Sequence, residues 1–278
     1  MEACKRIAQL LEKVRNEKPL VHQITNYVTV NDCANITLAL GASPVMADDI
    51  LEVSDMVSIA KALVINIGTL NSNTIASMIL AGKTANKLNI PVVLDPVGVG
   101  ATKYRTDTAK RILDEVKISV IRGNLSEIKI LNGIEGKTKG VDSTEEIFLE
   151  SNNIEDIKLM AKSFAKNIKA AIAITGAVDI ITDGETLYTV ENGHSTMAKV
   201  TGTGCMCTAL IGSFMAATNN SLLASLSGVT VMGLAGEIAF ENLDKVNGGT
   251  GSLKVGILDA ICNLNEEIIL RRVKINEG

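Results

Sequence analysis

What most constrains this chain is an alternation. Four short aliphatic runs rich in Val and Ile, Ala62 to Ile67, Pro91 to Leu94, Ile118 to Ile121 and Ala170 to Ile174, are separated by longer segments patterned as helices. Those segments, Thr74 to Leu88, Asp107 to Val116 and Ile157 to Asn167, have polar faces and few breakers. An apolar run without polar alternation reads as a strand buried on both faces, which is what a parallel sheet demands. Strand and helix in regular succession predict an α/β fold with a largely parallel central sheet flanked by helices on both faces. After Ile180 two short runs, Ile180 to Thr182 and Thr186 to Val190, flank Asp183-Gly184 and predict an antiparallel hairpin at the sheet edge. From Gly204 onward the pattern is almost wholly helical, in three apolar segments broken at Asn219-Asn220 and at the glycine-rich run Asn247 to Gly251. No linker and no repeat of fixed period interrupts this, so one domain over residues 1–278 is expected.

Composition narrows the partners. Aromatic residues are only 3% and Trp is absent, which leaves little with which to stack nucleic-acid bases. The net charge of −4 is spread over interspersed acids and bases, with no basic stripe to follow a phosphate backbone, so nucleic acid is not expected as a partner. The five cysteines are scattered without a CxxC pair, which points away from a zinc site or disulfide framework and toward a reducing cytoplasm. Met1 to Pro19 mixes charged and apolar residues at helical spacing, unlike a secretory signal. The apolar stretches Met206 to Ala217 and Leu222 to Phe240 are broken by Gly, Ser, Thr and Glu237, so they are expected to be buried helices, not membrane spans.

Ligands of open parallel sheets bind beyond the carboxyl ends of the strands. The residues found there are Asn66-Ile67-Gly68-Thr69, Asp95-Pro96-Val97-Gly98-Val99-Gly100, Arg122-Gly123-Asn124-Leu125-Ser126-Glu127 and Thr175-Gly176-Ala177. Thr201-Gly202-Thr203-Gly204-Cys205 leads straight into an apolar helix, so Gly202 and Gly204 allow a tight turn whose N–H groups face one anion at the positive end of that helix. A plain helix cap at Thr203 would use the same residues. Cys205, in the first turn, is placed for a thiol pKa below the free value of about 8.5, or else is a small buried hydrophobe. Asp95, Asn124 and Glu127 offer oxygens to a hydrated magnesium, although Asn124 with Glu127 three residues on also has the form of a capping box. Arg122, at the end of a buried strand, needs an anion, whether a nucleotide phosphate or a structural carboxylate. Cys207 and His22 are expected to be structural.

Taken in order, Val21-His22-Gln23-Ile24-Thr25-Asn26-Tyr27-Val28-Thr29, Gly41-Ala42-Ser43-Pro44-Val45-Met46-Ala47, the strand-end segments above, Ile174-Thr175-Gly176 and Thr201 to Cys205 resemble the hydroxyethylthiazole kinases over nearly the whole chain. The resemblance implies a ribokinase-like fold and magnesium-dependent transfer of the γ-phosphoryl of ATP to the hydroxyl of 4-methyl-5-(2-hydroxyethyl)thiazole, in thiamine salvage. It implies that Arg122 and Thr175 contact ATP, that Asn124 and Glu127 match the magnesium-organising NxxE motif, and that Asp95 joins the metal and phosphate network. It implies that Met46 and Gly202 line the thiazole pocket, and that Cys205 stands where many ribokinase-like enzymes have a catalytic Asp. A homotrimer is implied too, with Asn26 to Val28 serving a neighbour's active site. Hydroxymethylpyrimidine kinases and ribokinase-like dehydratases share the fold; Met46, the Asn26 segment and Cys205 argue for thiazole.

Overall fold

The computed structural model describes residues 2–139 and 153–278. In chain order it contains α1 (Glu2–Glu17), β1 (Leu20–Ile24), α2 (Val30–Leu40), β2 (Ser43–Val45), α3 (Val53–Ile59), β3 (Ala62–Asn66), α4 (Ser72–Lys87), β4 (Val92–Asp95), α5 (Lys103–Glu115), β5 (Val120–Asn124) and α6 (Leu125–Lys139). There follow α7 (Ile154–Ile168), β6 (Ala171–Thr175), β7 (Asp179–Thr182), β8 (Leu187–Val190), α8 (Thr203–Met215), α9 (Ser221–Glu241), α10 (Thr250–Asn263), α11 (Glu266–Arg272) and β9 (Ile275–Glu277). The strands form one sheet in the order β2-β1-β3-β4-β5-β6-β7-β8-β9. Pairing is parallel from β2 to β6 and antiparallel from β6 to β9.

Each central strand is buried on both faces, and its residues divide between two cores by alternation. Ala62, Val64, Val93, Val120, Ala171 and Ala173 face the core built with α1, α2 and α8–α10. Leu63, Ile65, Val92, Leu94, Ile121 and Ile172 face the core built with α3–α7. The first face is the smaller in side-chain volume, and it lets the apolar helix α8 come close to β3 and β4. At Gly212 of α8 a Cβ would stand 2.3 Å from Val64 Cγ2, so a side chain there would force the helix off the sheet. The Gly, Ser and Thr residues of α9 do not stop it from being long and apolar enough to cross a membrane by length and composition, but 83% of its apolar window is buried in the fold, as expected of a buried helix.

Two expectations need correction, and two strands carried none. β1 and β2 were not legible as strands, because β1 reads Leu-Val-His-Gln-Ile and β2 contains Pro44 on the sheet edge. The β7–β8 hairpin is not the edge: the chain returns after α11 to add β9 beside β8, so the last segment is not wholly helical. Arg122 lies within β5, which starts two residues later than its aliphatic run, and so projects from the sheet instead of following it.

Candidate active site

The parallel register brings the polar strand ends level. Asn66 pairs with Asp95 across β3 and β4, and Asn124 with Thr175 across β5 and β6. Beyond them a cleft of about 310 Å³ opens, walled by Asn26, Val28 and Thr29 after β1, by Gly68, Asp95 and Val97, by Arg122, Asn124 and Glu127, and by Thr201, Gly202, Gly204 and Cys205 at the start of α8. A wider open groove of about 780 Å³ lies at the other end of β6, lined by Lys166, Lys169 and Asn219–Leu222, with none of these groups in it.

Gly202, not Thr203, ends the loop before α8. Its φ of 89° is left-handed, a conformation open to Gly at little cost, and no side chain caps the helix. The first N–H groups of α8 therefore face the cleft side without a side-chain acceptor, which suits an anion. At Gly204 a Cβ would lie 2.6 Å from Arg122 Nη1, so the guanidinium rests against bare backbone. Arg122 also donates to Thr175 Oγ1 at short range and has its Nη1 3.8 Å from Asp95 Oδ1. Its Nε is buried without a partner.

Asp95 is fully buried. Oδ2 accepts from Asn66 Nδ2 at 2.8 Å and Thr208 Oγ1 at 2.8 Å, while Oδ1 has no hydrogen-bond partner. Burial pushes its pKa up to about 6, against the pull of Arg122 and these two donors. Around Glu127 the capping box forms: Asn124 N–H donates to Oε2 at 2.8 Å and Glu127 N–H to Asn124 Oδ1 at 2.9 Å. Glu127 Oε1 in turn accepts Gly98 N–H at 2.8 Å, so this carboxylate ties the β4 and β5 loops together. Magnesium served by one or two carboxylates, waters and phosphates asks little more of a protein than the orphaned Asp95 Oδ1. Among the described residues no cluster of three or more His, Cys, Asp or Glu could cage a metal unaided.

Cys205 Sγ accepts from Asn26 Nδ2 at 3.3 Å and Asn66 Nδ2 at 3.2 Å. The helix start does not give it a depressed pKa. Burial raises the thiol first and nearby Asp95 adds to that, outweighing the opposing pull of the neighbouring polar side chains, among them the two amides. Cys207 is buried and pushed up to about 12 by burial, in keeping with a packing role.

Asn26 and Val28 line the cleft of their own chain, and the Asn26 side chain is buried there. Met46 does not; it packs against the core past the end of β2. Three residues at the site had been given no individual role. Asn66 and Thr208 hold Asp95, and Arg105 of α5 donates to the carbonyls of Ile67 at 2.6 Å, Val97 at 2.8 Å and Gly68 at 2.8 Å, stitching the loops after β3 and β4. The four-residue spacing from Gly204 to Thr208, one helical turn, was the available signal for Thr208.

A mostly parallel sheet with an antiparallel extension, and its polar groups gathered at the strand ends around a helix start, defines the ribokinase-like class. At the level of fold alone, pyridoxal kinase from Staphylococcus aureus in complex with ADP aligns with a TM-score of 0.65 and 16% identity, over 94% of this chain and 99% of that one. A much nearer likeness is the hydroxyethylthiazole kinase protein of Pyrococcus horikoshii, with a TM-score of 0.87 and 40% identity over 99% of both chains. The Hydroxyethylthiazole kinase family model matches residues 11–267, and the hydroxyethylthiazole kinase of Clostridium tetani is 58% identical over 99% of each chain. The chain belongs to the hydroxyethylthiazole kinase family.

Proposed function

We propose that this kinase transfers the γ-phosphoryl of ATP to the primary hydroxyl of 4-methyl-5-(2-hydroxyethyl)thiazole, giving the thiazole phosphate and ADP for thiamine synthesis. The observation that carries the reading is one cleft in which a cation, a buried carboxylate, an uncapped helix start and a sulfur acceptor converge. Arg122 and Thr175 hold the nucleotide phosphates, with Asp95 and Asn124 beside them. The N–H groups at Gly202 to Gly204 and the positive end of α8 stabilise the charge that builds on the transferring group. Asp95, with Asn124 and Glu127 acting largely through water and phosphate, would hold Mg2+. When bound, magnesium supplies charge neutralisation at the phosphate oxygens.

Transfer through a loose transition state leaves positioning and charge as the main sources of rate. The alcohol oxygen bonds to the γ-phosphorus as the bond to the departing ADP oxygen breaks. Cys205 orients the alcohol and, in its thiolate form, which burial makes scarce but strongly basic, takes the hydroxyl proton late. Gly202, Asn26 and Val28 line the thiazole side. Met46 belongs to that side as well, and the reading includes a homotrimer with sites at subunit boundaries, in which the segment Asn26 to Val28, with Tyr27 and Val28 80% and 56% exposed, also serves a neighbour's pocket. The free state of all five cysteines fits a cytoplasmic enzyme. ATP consumption with magnesium is measured with hydroxyethylthiazole, hydroxymethylpyrimidine or no acceptor. Turnover that depends on the thiazole is expected, and turnover only with the pyrimidine alcohol would overturn the substrate assignment.

A further inference from the structure

We propose that Asn66 is a positioning residue for the acceptor end of the cleft, whose amide aims both Cys205 and Asp95 at the site of transfer. Asn66 is 1% exposed, and every hydrogen-bonding atom of its amide is engaged. Oδ1 receives the Gly68 N–H at 2.9 Å and Asn26 Nδ2 at 3.0 Å. A backbone N–H can only donate, so the oxygen is fixed on that side and both amide hydrogens point the other way. One goes to Asp95 Oδ2 at 2.8 Å and one to Cys205 Sγ at 3.2 Å. Turning the amide over would set oxygen against a carboxylate and leave two N–H groups facing each other.

Asn26 is fixed by the same logic. Its Oδ1 accepts the Thr29 N–H and Oγ1 at 3.1 Å each, which leaves Nδ2 for Asn66 Oδ1 and Cys205 Sγ. The sulfur thus receives two amide hydrogens. A thiol has two lone pairs and both are then occupied; a thiolate keeps a third, and since the Thr29 hydroxyl gives its one hydrogen to Asn26 Oδ1, that pair is free for the hydrogen of an alcohol. The amide pair therefore favours the form of Cys205 that can take a proton, working against burial, and points its remaining lone pair toward the cleft. Through its other hydrogen Asn66 holds Asp95 so that the unpartnered Oδ1 faces Arg122. Asn66 is not on the cleft wall and acts through these two groups. The assignment deepens the proposed reaction in the role it gives Cys205, while the contact geometry is independent of which alcohol is phosphorylated.

The test uses the full chain with Asn66→Asp, which keeps the shape of the side chain but loses the donors, and Asn66→Ala, which adds no charge. Each is compared with wild type for thermal stability first. Both are expected to lower kcat by roughly 10²-fold with the KM for ATP within about threefold, as for loss of a preorganised donor. Asn66→Ala in a Cys205→Ala background is expected to cost at least about tenfold less than in wild type, because interacting residues are not additive. An equal cost in both backgrounds would overturn the proposal. A second readout needs no substrate: alkylation of Cys205 by iodoacetamide at fixed pH, followed by peptide mass. It is expected to slow about tenfold in Asn66→Asp, since thiolate fraction controls the rate, and an unchanged rate would also overturn the proposal. Absence of wild-type turnover with hydroxyethylthiazole would sink the substrate assignment alone, with alkylation still deciding the role of Asn66.

Discussion

Asp95→Asn should make this protein more stable and nearly inactive. The carboxylate is 0% exposed, with Oδ1 unpartnered and Arg122 Nη1 3.8 Å away. It titrates at about 6 in the fold, against about 3.9 for an exposed Asp. Because the folded pKa is the higher one, the folded state binds more protons than the unfolded state between roughly pH 4 and pH 6. The stability associated with Asp95 is therefore complete below about pH 4 and is lost as pH rises through 6. A gap of about two units corresponds to as much as about 3 kcal/mol at neutral pH. An amide carries no charge in either state, so the variant escapes that loss, the attraction to Arg122 that it forgoes being already contained in the folded value; its oxygen can still accept from Asn66 and Thr208. The assay is thermal unfolding of ligand-free wild type and variant at pH 4, 6 and 8. The two should unfold together at pH 4 and separate by roughly 6–12 °C at pH 8, with the variant the more stable. Turnover should fall by about 10²–10³-fold, as when a preorganised charge is removed from a transition state. A variant less stable than wild type at pH 8, or a difference that does not change with pH, would refute the reasoning. The gain in stability from removing a functional charge is the expected trade-off at a site built to hold ligand charge.

Other substitutions test separate parts of the cleft. Gly204→Ala sets a Cβ 2.6 Å from Arg122 Nη1, and because that group is the end of a flexible side chain it should swing away; stability should change by less than about 1 kcal/mol while the KM for ATP rises about tenfold. Gly202→Ala meets both a left-handed φ of 89° and Thr29 Cγ2 at 2.6 Å; a loss of about 2–4 kcal/mol is expected in chemical denaturation, from the conformational cost plus overpacking. Cys205→Asp should stay active, since a carboxylate can accept the same two amides and a proton; complete loss of turnover in a folded variant would count against Cys205 as the proton acceptor.

The central fold was legible because β3 to β6 are buried on both faces and so are written as aliphatic runs. β1 was not, because its polar residues are satisfied at a distance. His22 Nε2 contacts the Ala47 carbonyl at 2.7 Å and Gln23 Nε2 donates to Thr37 Oγ1 at 2.8 Å, partners 25 and 14 residues away that no local pattern announces. Burial also lowers the pKa of His22, in accord with a structural role. β9 was hidden for the same reason, being made a strand by its pairing with β8 and not by its composition. At the site, the glycines around Thr203 and the charged strand ends could be read directly. The lowered pKa expected for Cys205 could not, because a helix start is visible in sequence while burial and the nearness of Asp95 are not. Asn66 stood in view at a strand end, but its contact with Cys205 spans 139 residues and needed the register of the sheet.

The central claim is that phosphoryl transfer to hydroxyethylthiazole takes place in the cleft that holds Asp95, Arg122 and Cys205. Phosphorus NMR of wild type and Asp95→Asn, each folded and given ATP, magnesium and hydroxyethylthiazole, tests it most directly. The account predicts a new thiazole monoester formed one for one with ADP in wild type, and almost none in the variant. ADP without the ester in wild type, or ester formed by the variant at the wild-type rate, would contradict it.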